Sequence, residues 1–274
     1  MILTPDSLLI RLIDSESASV NFWRGVFVTI SVLSYLVVIE KVRLWHQLKI
    51  FNRYDYLGVL FFAMGSLTFV YAINNNNVAI TLVLLSTASF FAAIFSYFFL
   101  REPVSFSMLI GIIYCFIGIF VMVSDSVFAS ESTSSFSWLA FFSALLCALS
   151  FAANLSLSRS GKQTHTILSF GLSGIPIAFI SVLFATDIWL RPEVWLWMAI
   201  DGLLVIPMSF MLMLIGARYI PAPYSTMMIQ LETFLGPLWV WLVLEEYPGI
   251  STFIGGSIII TTLIVVNLIK LKSQ

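Results

Sequence analysis

Three ionisable residues stand inside long apolar runs of this sequence: Arg24, Asp201 and Glu232. A charge at bilayer depth costs about 2.5–3.5 kcal/mol on insertion scales, so each asks for a chemical reason. Glu232 is the eleventh residue of the run Ala222–Leu244 and falls near its middle, where a carboxylate suits a substrate amine or a proton. Arg24 and Asp201 lie at similar depths in their own runs, so they can pair if their helices are neighbours. The planar guanidinium of Arg24 also fits a substrate carboxylate. Trp23, Tyr71, Gln230, Trp239 and Trp241 can supply aromatic faces and an amide donor for a cavity wall. The plainer alternatives are a protonated glutamate bonded to a neighbouring helix and an arginine that snorkels to the interface.

Other chemistries lack their residues. His46 and His165 come without an HExxH pattern or a cysteine pair, so no metal ligand set forms. Gly161-Lys162 lacks the glycine that a phosphate loop needs five residues earlier, where Ser156 stands. No GxSxG elbow and no nucleophile–base constellation appears, which argues against an enzyme. Thirteen basic and fourteen acidic residues leave a formal charge of −1, which argues against nucleic acid as a partner. No cofactor is expected.

The elements that must position these residues are set by composition. Of 274 residues, 60% are hydrophobic and 10% charged, and the mean hydropathy is +1.02. A soluble domain carries about 45–50% apolar and about 25% charged residues. The chain therefore reads as an all-α polytopic membrane protein. A helix needs roughly 20 apolar residues to cross the bilayer core. Such runs fall at Val20–Ile39, Tyr56–Ala72, Val78–Phe99, Ser105–Ser124, Phe136–Leu155, Ile167–Ala185, Val194–Ala217, Ala222–Leu244 and Ile250–Ile269, nine in all.

Polar marks recur at an offset of 144 residues: Leu100-Arg101-Glu102 lies opposite Leu244-Glu245-Glu246. The same shift carries most spans of the first half onto spans of the second, the signature of a repeat transporter. It sends Phe136–Leu155 back to before the first residue, so Met1–Leu12 reads as the end of a helix whose front is lacking. The expected design is two five-helix repeats, residues 1–125 and 136–274, with nine complete helices and a truncated first. An odd number of helices per repeat inverts the halves relative to each other. Ten of the thirteen lysines and arginines fall in alternate connectors or the C-terminal tail. By the positive-inside bias these face the cytoplasm, with the C-terminus inside the cytoplasmic (inner) membrane.

These residues resemble the drug/metabolite transporter (DMT) superfamily, and within it the EamA-type carriers. The resemblance rests on Asp6-Ser7-Leu8-Leu9-Ile10-Arg11-Leu12 followed by Phe22-Trp23-Arg24, on Leu100-Arg101-Glu102-Pro103-Val104-Ser105, and on Leu231-Glu232-Thr233-Phe234. Arg101 stands where the family has glycine, and Thr233 where it has proline. The resemblance implies a secondary carrier that exports a small metabolite, an amino acid or similar amphipathic solute, by alternating access. Its expected partners are that solute and the lipid bilayer, with a proton as candidate coupling ion and a second copy of the chain as candidate homodimer partner. The rival reading is a non-transporting paralogue without a complete first helix.

Overall fold

The structure, a computed structural model, describes residues 3–39, 41, 44–76, 78–100, 106, 110, 111, 113, 114, 117, 118, 120, 121, 137–217, 235, 236, 239–245 and 250–272. Among them every regular element is helical. In chain order these are α1 (Asp6–Ile13), α2 (Ser17–Val38), α3 (Leu44–Lys49), α4 (Arg53–Asn75), α5 (Val78–Ser86) and α6 (Ala88–Phe95). After them come α7 (Trp138–Arg159), α8 (Thr166–Phe184), α9 (Trp195–Ile200), α10 (Ile206–Ala217) and α11 (Ile250–Lys272). Six stretches among the described residues are long and apolar enough to cross a membrane: Ser17–Val38, Arg53–Asn75, Ile80–Phe98, Trp138–Arg159, Thr166–Phe184 and Pro192–Gly216. Each overlaps an expected span. Of the other three, 250–269 lies within α11, while most of 222–244 and much of 105–124 fall outside the described residues.

Local chemistry sets the ends of these helices. Asn52 and Asp55 form a reciprocal capping box at the start of α4, which satisfies two of the backbone donors that a helix start leaves open. Ser137 caps α7 through the Ala140 amide, and Pro192 opens the short 3-10 turn before α9, where its missing N–H costs nothing. Asp14 ends α1 in the left-handed region at φ 40°. Between α9 and α10 the helix widens into a π turn at Asp201–Val205. Pro207 supplies the cause: it brings no N–H, and its ring crowds the carbonyl four residues back, at Leu203.

Packing rather than water exclusion holds such helices together, because lipid tails are as apolar as leucine. α2 therefore crosses α8 at its glycines. A methyl group on Gly174 would collide with the Gly25 backbone, and one on Gly25 with the Gly174 carbonyl. α4 packs along α7 and α8, and α1 packs against α9 and α4. The outward faces carry exposed Ile30, Phe142, Phe179 and Leu212, as a surface in contact with lipid requires. Exposed Trp45, Tyr56, Trp138 and Trp189 stand near helix ends, where amphipathic rings suit the interface.

Candidate substrate site

Arg24 does not snorkel. It is 4% exposed, seven residues into α2 and so roughly 10 Å below that helix end. Two carboxylates from separate elements meet it. Asp6, in the first turn of α1, accepts from Arg24 Nη2 at 3.0 Å. Asp201, in the π turn, places Oδ2 3.7 Å from Arg24 Nε. The guanidinium carbon also lies 5.7 Å from the centroid of the Phe69 ring. The pairing expected of Arg24 and Asp201 is thus present in the geometry.

Each acid has a local reason for its place. Asp6 sits at the start of α1, where the helix dipole favours negative charge. The π turn that Pro207 imposes holds Asp201 within reach of Arg24, fully buried. Isolated burial of either carboxylate would be costly; pairing with the guanidinium offsets it. One cation between two carboxylates leaves the cluster with a formal charge of −1 when all three are ionised.

Asp6 and Arg24 line a cavity of about 70 Å³. Its walls are largely apolar and include six phenylalanines: Phe61, Phe62, Phe69, Phe151, Phe170 and Phe210. Phe62, Phe170 and Phe210 contact one another at 5.0–6.0 Å between ring centroids. The polar exceptions include Ser66, Ser173 and Asn154. Among the described residues, Asp6 Oδ1 and Asn154 Oδ1 are buried without a hydrogen-bond donor. Asp201 is not among the residues of the cavity wall and meets Arg24 at its Nε.

A second hollow, about 750 Å³, opens one helical turn further toward the α1–α2 turn. It is lined from the same helices: Asn21 of α2, Thr68 and Tyr71 of α4, Ser143 of α7 and Ser181 of α8. The layer between the two hollows contains Asn21, whose amide nitrogen reaches the Leu67 carbonyl at 3.4 Å and whose side-chain oxygen accepts from Ser66 at 3.5 Å. Around the rim, the 185–191 loop is tied to the α1–α2 turn. Glu16 accepts from the Thr186 hydroxyl at 2.7 Å and its amide at 3.1 Å, and Ser19 donates to the Asp187 carbonyl at 2.6 Å. The Glu16 carboxyl is held below its ordinary range, first by the Thr186 hydroxyl and then by the Thr186 amide.

The other expected site residues are placed as follows. Tyr71 lines the larger hollow. Trp23 lines neither: its indole donates to the Ile188 carbonyl at 2.9 Å and meets Trp195 edge-on at 4.6 Å, so it anchors the 185–191 loop. Trp239 is 43% exposed and is likewise absent from both walls. Gln230 and Glu232 lie outside the described residues. Asp6 and Asn154 were not among the expected set. A signal for Asp6 was present: it precedes Asp14, the helix end, by eight residues, about two turns, and so faces the depth of Arg24. No group of three or more metal-ligating side chains occurs among the described residues.

Comparison with known proteins agrees with this architecture. A solved crystal structure of a protein resembles this chain with a TM-score of 0.72, covering 98% of this chain and 94% of the other at 14% identity, a likeness of fold alone. Among curated proteins none matches the sequence. Residues 8–124, the stretch that carries Arg24, Asp55 and Tyr71, match the model of the EamA-like transporter family.

Proposed function

We propose that the protein is a secondary carrier that moves a small amphipathic metabolite, an amino acid or a close relative, out of the cell by alternating access. The observation that carries this reading is the Asp6–Arg24 pair set in the wall of a phenylalanine-lined cavity. A zwitterion meets complementary charge there. Its ammonium is drawn to Asp6, whose Oδ1 lacks a donor, and its carboxylate to the guanidinium fork. Asp201 keeps Arg24 oriented while Asp6 changes partner. The phenylalanine rings receive the apolar part of the solute.

A cavity of about 70 Å³ holds only about two waters. Binding therefore joins it to the larger hollow by parting Asn21 from Ser66. Inverted halves, 1–125 and 136–274, are supported by the packing: α2 lies on α8, its counterpart at the 144-residue offset, and α1 meets α9 as α7 meets α4. The basic connectors favour a cytoplasmic face for Lys162 and the C-terminus, and so an outward face for the larger hollow. Glu232, at the middle of its run, is kept as a further substrate or proton group.

The test is thermal unfolding in mild detergent against a panel of amino acids and related metabolites. A solute that binds the folded state raises the midpoint once its concentration passes its Kd. The expected result is a shift in the wild-type chain that Arg24→Lys weakens and Asp6→Asn abolishes. A cooperative transition that no solute moves counts against the reading.

A further inference from the structure

At the end of the bundle opposite the larger hollow, α4 descends one turn at a time from the cavity: Phe62 and Phe61 in its wall, then Gly58, then Asp55. Asn154, on the cavity wall, donates to the Gly58 carbonyl at 3.0 Å. Beneath it Gln163, 4% exposed, rests its amide against the Gly58 Cα, in space that any side chain at that position would fill. Below that lies Asp55, with no exposed surface. Its carboxylate accepts from the Thr164 hydroxyl at 3.0 Å, from the His165 amide at 2.9 Å and from the Asn52 amide at 3.0 Å. The His165 ring stands 3.4 Å away, and Asn52 donates in turn to the Lys162 carbonyl at 2.8 Å.

Asp55 caps its own helix through Asn52, which needs one acceptor oxygen. The remaining bonds all run to a loop of the other half, more than 100 positions away. We infer that residues 160–165 form the gate that closes the cavity at this end, with Gln163 as its plug and Asp55 as the latch that holds it shut. This rests on the carrier reading above, since a gate has meaning only for a pathway. The latch is charge-assisted, so releasing it costs more than parting the neutral Asn21–Ser66 contact at the other end. The resting protein accordingly keeps this end closed. Asp55 acts on the position of the loop and touches no substrate.

Cys147 supplies a native reporter, because it lines the cavity and is 4% exposed. With Cys115→Ser it becomes the sole thiol of the chain. Labelling of Cys147 by a membrane-impermeant maleimide is timed in vesicles of both orientations, and a Lys162→Cys reporter identifies the face that carries the loop. Asp55→Asn is expected to raise the labelling rate from the loop face at least about tenfold, the effect of one charge-assisted hydrogen bond on a two-state equilibrium. Labelling from the opposite face should fall or stay level. Thr164→Val removes the hydroxyl's bond to Asp55, with its contacts to the His165 ring and the Asn52 side-chain amide, leaves the residues of α4 unchanged and should give a smaller rise of the same kind. Unchanged rates in both variants, with unfolding still cooperative, overturn the gate, as does an equal rise from both faces. No solute enters the measurement, so gated labelling without any ligand shift would separate failure of the carrier reading from failure of the latch.

Discussion

Gly25 of α2 and Gly174 of α8 lie backbone against backbone, a close approach between the two halves of the chain that only glycine permits. Thr29 strengthens the crossing one turn on, donating to the Gly171 carbonyl at 2.9 Å. Gly174→Val forces the helices apart. Overpacking of this kind typically costs about 1–3 kcal/mol, occasionally more. A lowered unfolding midpoint in detergent checks it, and Gly256→Val, where no neighbouring atom lies within 4 Å, is the control expected to change little.

Removing Arg24 leaves Asp6 and Asp201 buried together without their cation. Arg24→Leu is expected to destabilise by about 3–5 kcal/mol, the usual result of breaking a buried ion pair from one side. Adding Asp6→Asn and Asp201→Asn should recover most of that loss, because no unpaired charge then remains. Unfolding midpoints of the single and triple variants decide the matter. Ligand shifts should be absent from both.

Pro207→Ala restores the N–H whose absence opens the π turn. The helix is then free to close to α-helical pitch, turning Asp201 away from Arg24 by up to one residue, about 100°. The expected outcome is near-normal folding with ligand binding weakened about tenfold or more, read by titrating the thermal shift.

The Glu16–Thr186 tie carries a pH signature. Its carboxyl is held below the ordinary value of 4.5, so its stabilisation is fully present above that value. It is lost as pH falls through the lower folded value. Wild-type protein should therefore lose thermal stability below about pH 4.5 more steeply than Glu16→Gln, compared by melts across an acid series.

Six of the nine expected spans have counterparts long and apolar enough to cross a membrane among the described residues, because length and hydropathy answer directly to bilayer thickness. The match of Arg24 with Asp201 was legible for a related reason: residues per turn convert sequence position into depth. Asp6 was missed because its short helix reads as a remnant rather than as an element with a buried start. Trp23 illustrates a different limit. An aromatic ring that packs and one that lines a cavity are the same residue type at the same depth, and only the Ile188 carbonyl tells them apart. Asp55 drew no reading from the sequence, since its loop partners come from more than 100 positions away and no local pattern announces them.

α4 is a single unbroken helix of 23 residues, and it bears something at every level of the path. Asp55 and Gly58 are at one end, Phe62 and Ser66 in the middle, Thr68 and Tyr71 at the other. Such a rod is stiff over its length of about 35 Å, so its two ends cannot move independently. On the carrier reading proposed above, a pivot about its middle would swing one end outward as the other swings in. Both doors would then hang on one beam, with mutual exclusion supplied by the rigidity of the helix itself.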